Sequence, residues 1–369
     1  MPDSAEADGD HRPTVVFLPD KRLFNPYQTR LAEALSSQGF NVVVKDHPPL
    51  LGAFCRQQRL YENNVIVHLH WLNGLTDKAV YAQSGIRFLI WYVLVTIDLT
   101  IFRLRGGKLF WTVHNLISHE CPNPSREMEM RRLVARLADG IHFHSQSAVT
   151  RAQEEYTIRL RHKAVVAAHA GYPDDYPPDS SRTESMALET GIRSDHFTFL
   201  FFGTIRSYKG LESLVEAFSR RPGPRYRLLI AGAAIPGVSI QWLDQASARD
   251  PRVLVRSGYV SNLDVSALFA ISDVLVAPYS ATLTSGVVSL GLTFGIPMVL
   301  PDAAKVYDLP GDAGAEFFAP GNLPEALAMI ETRNLALMRA HNTTLGQSLT
   351  WGSMAETIAM AYRKALPAR

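Results

Sequence analysis

Short apolar runs alternate with helical patterns along the whole chain of 369 residues. Runs of this kind, bounded by turn or helix signals, are typical of strands buried in a parallel sheet. Each half of the chain opens with such a strand, then a loop, then a helix. The sequence therefore predicts an α/β fold with two Rossmann-like domains. The predicted strands are residues 14–18, 41–45, 65–70, 108–113, 140–144, 163–168, 197–202, 226–231, 253–257, 274–277 and 297–300.

The best candidate for a domain boundary is the stretch 171–181, which is rich in Pro, Asp and Ser. A chain of this length suits two domains. Ligands bind at the carboxyl ends of strands in open α/β sheets, so two domains facing each other across a cleft suit an enzyme that joins two substrates. The predicted segments are a disordered tail at 1–12, an N-terminal domain at 13–175, a linker at 176–195, a C-terminal domain at 196–350 and a last helix at 351–369 that packs back towards the N-terminal domain.

Composition and targeting signals favour the cytoplasm. Hydrophobic residues make up 47% and charged residues 20% of the chain, which fits neither a disordered nor a polytopic membrane protein. The two cysteines, Cys55 and Cys121, lack CxxC spacing and form no disulfide framework, as expected in a reducing compartment. Residues 1–12 are polar and lack the apolar stretch of a signal peptide.

A basic loop with two glycines follows the first strand of the second half. Gly203 ends that strand, Arg206 and Lys209 follow, and Gly210 opens a helical pattern. A helix N-terminus offers free N–H groups and the positive end of the helix dipole to an anion. Arginine grips phosphate oxygens in pairs and lysine acts as a point charge, so the loop predicts a diphosphate site. A solvated loop with two surface charges is the alternative.

A second loop near the end of the chain also predicts an anion site. Pro278 ends a strand, and Thr284, Ser285 and Gly286 precede an apolar helical pattern. Serine and threonine can cap a helix, and glycine lets a ligand approach the backbone closely. Both loops lie at strand carboxyl ends and could face one ligand. A plain helix cap is the alternative.

One segment, from Phe88 to Phe102, is unusually apolar and is flanked by Arg87 and Arg103. It is shorter than the ~20 apolar residues of a membrane-spanning helix, and Asp98 interrupts it. One interpretation is a core helix of the first domain. The other is an interfacial helix on the inner face of the cytoplasmic membrane, with its arginines at anionic headgroups. Residues 87–163 carry 12 Lys/Arg against 7 Asp/Glu, which favours the membrane. We find no nucleic-acid-binding motif.

Polar side chains end the strands of the first half. His68 and His70 share one face of a strand, but no Cys or carboxylate lies at ligand spacing, so we predict no metal site. His114 lies where a side chain can reach a sugar hydroxyl or a phosphate. Asp20 follows the first strand beside two cations. It could remove a proton from an acceptor hydroxyl, or it could be a surface turn residue paired with those cations.

Several of these pieces resemble a GT-B glycosyltransferase that uses a nucleotide-sugar donor. They are Gly-x-Ile-Arg-x-Tyr-Lys-Gly at 203–210, Thr-Val-His-Asn at 112–115 and the Ser-Gly helix start at 285–286. The resemblance implies that the C-terminal domain holds the nucleotide diphosphate, that the N-terminal domain takes the acceptor, and that neither a metal nor another cofactor is needed. The large retaining group of this fold carries two glutamates eight positions apart. Here those positions hold Thr282 and Leu290.

A closer resemblance is to the xanthan-type β-mannosyltransferases, inverting GT-B enzymes of bacterial exopolysaccharide assembly. The matching pieces, 25–27, 68–71, 114–116, 119–120, 203–210, 278–279 and 285–286, occur in the same order across both domains. This resemblance implies a GDP-mannose donor and a polyprenyl-diphosphate-linked oligosaccharide acceptor at the membrane. The implied acceptor contacts are Asn25, Tyr27, His70, Trp71, Asn115 and His119; the implied donor contacts are Tyr208 and Tyr279, with Gly203, Arg206, Lys209, Thr284, Ser285 and Gly286 at the diphosphate.

The reaction implied is a single displacement with inversion. A carboxylate, with Asp20 preferred to Glu120, would deprotonate the acceptor hydroxyl, and His114 would assist at the reacting groups. The basic loop would stabilise the departing diphosphate. Three alternatives remain open: a retaining GT-B glycosyltransferase with another nucleotide sugar, a nucleotide-sugar epimerase, and a non-catalytic partner subunit of a glycosyltransferase.

Overall fold

The computed structural model of the chain describes residues 12–23, 26–47, 65–118, 121–279, 283–309 and 314–367. The chain folds into two compact units. The first contains the residues up to Phe143, Val149–Ala167 and the residues from Trp351 onward, and the second contains His144–Ala148 and Ala168–Thr350. The predicted disordered tail at 1–12 lies outside the described residues except for Arg12.

Six parallel strands form the sheet of the first unit, in the spatial order β2-β1-β3-β4-β5-β6. Val16 of β1 pairs with Val43 on one side and with Val67 on the other. Val16 and Phe17 are fully buried, which explains why these strands are continuous apolar runs rather than alternating ones. The strands are β1 Thr14–Leu18, β2 Asn41–Val44, β3 Ile66–Leu69, β4 Lys108–Thr112, β5 Gly140–Phe143 and β6 Ala164–Val166.

Helices connect these strands, and the C-terminal helix, Trp351–Ala365, packs against the same sheet. Tyr362 of that helix is fully buried, and its hydroxyl pairs with the ring of His68 on β3. The Tyr362 ring also lies 4.7 Å from the ring of Phe110 on β4. The other helices described before residue 157 are α1 Tyr27–Ser37, α2 Asp77–Val80, α3 Gly85–Leu104, α4 Pro124–Leu137 and α5 Gln146–Tyr156.

The second unit is built on another sheet of six parallel strands, in the order β12-β11-β10-β7-β8-β9. Its central strands are again apolar and buried. Its strands are β7 Phe197–Phe202, β8 Tyr226–Gly232, β9 Val253–Ser257, β10 Val274–Val276, β11 Met298–Pro301 and β12 Ala315–Phe318. Its helices include α6 Ser180–Thr190, α7 Leu211–Ser219, α8 Gln241–Arg249, α9 Asn262–Ala270, α10 Gly286–Thr293, α11 Leu323–Met329 and α12 Leu335–Ser348.

The predicted α/β fold with two Rossmann-like sheets is confirmed, and each predicted strand is present. Two features differ from what the sequence predicted. Strand β12 was not predicted, because a glutamate interrupts its short apolar run. The segment predicted as a linker, 176–195, contains α6: the side chain of Asp179 accepts a hydrogen bond from the backbone N–H of Arg182 (2.9 Å), and Gly191 ends the helix at φ +67°. The residue that starts this helix, Asp179, belongs to the Pro-, Asp- and Ser-rich stretch that suggested a linker. Gly191, which ends the helix, lies beyond that stretch.

Candidate functional site

The basic loop of the second unit folds tightly against the start of α10. Gly203 follows β7 at φ +118°, a conformation that side chains disfavour. A Cβ on Gly203 would lie 3.2 Å from Nζ of Lys209 and 3.3 Å from Cγ2 of Val287. Gly210, at φ +66°, lies against the carbonyl oxygen of Pro278, where a Cβ would overlap. The two loops that the sequence singled out therefore meet at the carboxyl end of this sheet.

Lys209 is a buried cation in this loop, with only 7% of its surface exposed. Its Nζ donates to Oγ1 of Thr204 (3.2 Å), and within the described ranges it forms no ion pair with a carboxylate. Burial, and secondarily the charge of Arg206, lowers the pKa of Lys209 to about 8. A buried ammonium group without a carboxylate is costly in the free protein, and a bound anion would remove that cost.

Tyr279 and Tyr208, the predicted donor contacts, lie beside this lysine. Their rings are 6.3 Å apart, and Nζ of Lys209 lies 5.1 Å from the centre of the Tyr279 ring. Tyr279 is only 4% exposed, and burial raises its pKa well above the usual value. The buried ring of Tyr279 therefore packs beside Lys209, whereas Tyr208 is half-buried and more accessible.

The N-terminus of α10 lacks the side-chain cap that the sequence predicted. Ser285 occupies the N-cap position, but its hydroxyl makes no capping hydrogen bond. Its carbonyl oxygen accepts instead from the N–H groups of Val288 (3.1 Å) and Ser289 (3.2 Å). Thr284, Ser285 and Gly286 are half-buried. The Ser285 side chain thus leaves the first amides of α10 without a cap, and free amides are what an anion-binding helix start requires.

Aromatic side chains gather at the carboxyl end of the sheet in the first unit. The ring of Trp71, which follows β3, stacks on that of His114, which follows β4, at 4.6 Å and 13°. His70 lies next to both, with its ring 6.0 Å from each. Trp71 and His114 are half-buried. The flat apolar faces of such rings can pack against the C–H groups of a sugar.

His70 has no hydrogen-bond partner on either ring nitrogen within the described structure, and it is only 1% exposed. Its neighbour His68 is different, because its ring bonds both Tyr362 and Oγ1 of Thr112 (2.7 Å). Burial and then the adjacent histidines lower the pKa of His70 well below its usual value, so it is a neutral imidazole. A neutral imidazole has one donor and one acceptor, which a hydroxyl group can satisfy.

The side chain of Tyr27 is more buried than a residue in contact with the acceptor should be. It is 1% exposed, and its ring lies 5.1 Å from His114 and 5.4 Å from Trp351. Burial raises the pKa of Tyr27 well above the usual value. Tyr27 therefore supports the aromatic cluster from behind. Trp351 was not predicted to belong here; no local pattern relates the start of the last helix to β3 and β4.

Asp20, the preferred base, is held by Arg22. The guanidinium Nη2 donates to Oδ2 (2.6 Å) and Nε to Oδ1 (3.1 Å), and this pairing lowers the pKa of Asp20. The buried side chain of Gln28 fixes the loop itself, donating to the carbonyl of Pro19 (2.8 Å) and accepting from the N–H of Lys21 (2.7 Å). Asp20 lies at the predicted strand end, and both its oxygens are engaged.

The loop after β4 is fixed by an ion pair that the sequence analysis did not include. Arg131 donates to Oε1 of Glu127 (2.6 Å) and to the carbonyl of Asn115 (2.6 Å). Glu127 also accepts from the N–H of Ser118 (2.9 Å). The i, i+4 spacing of Glu127 and Arg131 on α4 was the available signal. The predicted site residues Asn25, His119 and Glu120 lie outside the described residues.

Metal-binding clusters are absent from the described parts of the chain, in that no three His, Cys, Asp or Glu side chains there could hold an ion. Independence from metals remains a prediction. Cys121 is a half-buried thiol whose pKa is raised to about 11 by burial and then by Glu127.

The apolar segment of the first unit forms helix α3, which is longer than predicted. It spans 20 residues, and its length and mean hydropathy of 1.7 would allow it to cross a membrane. Only 22% of the residues in its most apolar 18-residue stretch are buried, which excludes the interpretation that this helix is enclosed in the core. The buried residues are Val95, Asp98, Leu99 and Phe102.

Comparison with known proteins agrees with the fold and identifies a glycosyltransferase domain in the second unit. Residues 196–332 match the family described as "Glycosyl transferases group 1". The chain is 25% identical over 292 residues to a GDP-mannose:glycolipid 4-beta-D-mannosyltransferase of Xanthomonas campestris pv. campestris, covering 79% of this chain and 74% of the relative. The matched family segment includes the basic loop and the start of α10.

Solved structures with the same architecture cover nearly the whole chain. HepE of Anabaena in complex with UDP superposes with a TM-score of 0.71 at 16% identity, covering 95% of this chain and all of that one. Sucrose-phosphate synthase from Thermosynechococcus elongatus superposes with a TM-score of 0.71 at 14% identity, covering 96% and 99%. At these identities the likeness shows the fold alone.

Proposed function

We propose that this chain, a GT-B glycosyltransferase of the hexosyltransferase type, transfers mannose from GDP-mannose, with inversion, to a polyprenyl-diphosphate-linked oligosaccharide in exopolysaccharide or surface-glycan synthesis. Its second unit carries the group 1 glycosyltransferase domain. The observation that carries the donor side of this proposal is Lys209, a buried ammonium group that forms no ion pair with a carboxylate in the described part of the chain.

The diphosphate of the donor fits the surroundings of Lys209. Its negative charge would compensate the buried ammonium group, and Arg206 is half-buried on the same loop. The first amides of α10, which the Ser285 side chain does not cap, would add further donors. Because negative charge grows on the diphosphate as the glycosidic bond breaks, these fixed donors stabilise the transition state more than the bound substrate.

Mannose and guanine are proposed from the Xanthomonas relative, whose name specifies GDP-mannose. Inversion is supported by the second unit itself. Leu290, at a position where the retaining group of the fold carries a glutamate, is an apolar residue of α10 with 6% exposure. Thr282, at the other such position, lies outside the described residues.

The first unit would bind the acceptor. The Xanthomonas relative of the chain acts on a glycolipid, as the name of that enzyme states. The stacked rings of Trp71 and His114 offer a flat surface for a sugar, and His70 offers a donor and an acceptor for a hydroxyl. Asn115 is half-buried on the loop fixed by Arg131 and completes this set. We place the enzyme at the cytoplasmic face of the membrane, where such an acceptor is held by its lipid.

Transfer needs a base for the acceptor hydroxyl. The acceptor oxygen bonds to the anomeric carbon, the bond from that carbon to the diphosphate oxygen breaks, and the hydroxyl proton passes to the base. Asp20 is our first choice, which requires that Arg22 release one carboxylate oxygen when the acceptor binds. Glu120 is the second choice, and we propose that His114, whose ring stacks on Trp71, hydrogen-bonds the reacting groups. The reaction is proposed to need no metal.

The decisive experiment is a thermal-shift screen against GDP, UDP, ADP and dTDP, each with and without its common sugars. A ligand that binds only the folded state raises the melting temperature by mass action. We expect a shift with GDP and GDP-mannose, followed by mannose incorporation into glycolipid from membrane extracts. A shift with UDP alone would replace the donor, and the absence of any shift would overturn the donor assignment.

A further inference from the structure

We infer that the outer face of α3 inserts into the interfacial layer of an anionic bilayer while the helix lies parallel to the membrane plane. The inference rests on the proposed glycolipid acceptor and identifies the surface that meets its membrane. The outer face is a stripe of seven aliphatic residues with exposures from 37% to 82%: Ile86, Leu89, Ile90, Val93, Ile97, Ile101 and Leu104.

Helical geometry places this stripe on one side of α3. At about 100° per residue, the seven positions fall within an arc of roughly 120°. The buried residues Val95, Asp98, Leu99 and Phe102 fall on the opposite side. An exposed apolar face of this extent on one helix is rare in soluble monomers and indicates an interaction surface.

The packing of α3 argues against a membrane-spanning arrangement. Phe102 is fully buried and lies against Gly107, where a Cβ would overlap its ring. Asp98, only 4% exposed, belongs to the same buried face. A helix that crossed the bilayer would have to leave these contacts and take Asp98 into hydrocarbon. An in-plane helix keeps its inner face on the protein and gives only the stripe to lipid.

Positive charges border the stripe and indicate an anionic surface. Arg87 and Arg103 lie on its two sides by the same geometry and are both exposed. Exposed cations on both sides of an aliphatic face match the interface between lipid headgroups and acyl chains.

The test is flotation of the purified full-length protein with vesicles of phosphatidylcholine alone and of phosphatidylcholine with 30% phosphatidylglycerol (about one lipid in three anionic, to give the surface potential that attracts basic residues). We expect salt-sensitive binding to the anionic vesicles, at least ten-fold weaker in the double variant Ile90→Glu, Ile97→Glu. Leu188→Glu is the matched control, since Leu188 is 84% exposed on α6 of the second unit; it should bind like the parent protein.

Three results would overturn the inference. They are failure of the parent protein to float with anionic vesicles, equal binding by the double variant, and retention of vesicle-bound protein after alkaline carbonate extraction, which would show a spanning helix. Size-exclusion chromatography adds a fourth, because a dimer that the double variant dissociates would assign the stripe to a second copy. The thermal shift with nucleotide is read on the same proteins, so a retained shift without vesicle binding refutes this surface and leaves the proposed transferase standing.

Discussion

The ammonium group of Lys209 lies 5.1 Å from the centre of the Tyr279 ring. The Tyr279 hydroxyl in turn lies 3.4 Å from the carbonyl oxygen of Phe202, at the end of β7. The electron-rich ring face partly replaces the water that Lys209 loses on burial. Tyr279 thus offsets part of the cost of burying the Lys209 ammonium group in the ligand-free protein.

Replacement of Lys209 by alanine should lower turnover by about two to four orders of magnitude, in the range seen when a comparable charge-stabilising group is removed. The reason is that the leaving diphosphate loses its buried cation. The measurement is sugar transfer from the nucleotide donor to membrane glycolipid. Lys364→Ala, at an exposed position of the C-terminal helix, is the control. Near-normal activity of the Lys209 variant would contradict the diphosphate assignment.

The same lysine should destabilise the ligand-free protein. Its pKa is about 8 in the folded protein and 10.5 as a free side chain. The folded form is therefore penalised fully below pH 8, and stability rises as pH increases from 8 to 10.5 because the unfolded chain then binds more protons. Lys209→Met should raise the free energy of unfolding at pH 7 by up to about 3 kcal/mol. Urea titration at pH 7 and pH 10 measures this difference, which should shrink at the higher pH. A destabilised variant at pH 7 would show that the lysine makes a favourable contact instead.

The sequence was sufficient for eleven of the twelve described strands and for the position of the basic loop after β7, because both are encoded locally. Continuous apolar runs identify strands covered on two faces, and a glycine followed by two cations before a helix predicts an anion site. Gly203 and Lys209 were therefore predictable as a pair.

Long-range relationships were not available from the sequence. Nothing near Tyr27 indicates that Trp351, more than three hundred residues later, packs 5.4 Å from its ring. Nor did the pattern of the first loop decide whether Asp20 stands free or pairs with Arg22, since both were compatible with it. Burial also depends on the whole sheet, so the resemblance that made Tyr27 and His70 acceptor contacts did not indicate that both side chains are buried.

Gly203→Ala should weaken donor binding at least ten-fold without unfolding the protein. The new Cβ would lie 3.2 Å from Nζ of Lys209 and 3.3 Å from Val287, so it displaces the lysine or the start of α10. Gly237→Ala is the matched control, because Gly237 also has positive φ, +88°, but has open space around it. Both variants carry backbone strain of about 1 kcal/mol. Isothermal titration with GDP should separate them, and equal losses would indicate strain alone.

Asp20→Asn should lower turnover by about 10²–10⁴-fold and leave donor binding intact, if Asp20 is the base. Arg22→Ala removes the contact that lowers the pKa of Asp20, so the acid limb of kcat/KM should move to higher pH. The exposed pair Arg193 and Asp195 has the same spacing and bidentate geometry and provides the control variant Asp195→Asn. Normal activity of Asp20→Asn would transfer the role of base to Glu120 or His114.

His70 and His68 should respond oppositely to replacement by phenylalanine. His70 has no hydrogen-bond partner in the described structure, so His70→Phe removes two unsatisfied buried atoms and should leave the melting temperature unchanged or higher. His68→Phe deprives Tyr362 and Thr112 of their shared partner and should cost about 1–3 kcal/mol. If His70 binds an acceptor hydroxyl, its variant should also raise KM for the acceptor while KM for the donor stays constant. Steady-state kinetics with each substrate varied in turn tests this, and a stable His70 variant with unchanged acceptor KM would remove His70 from the acceptor site.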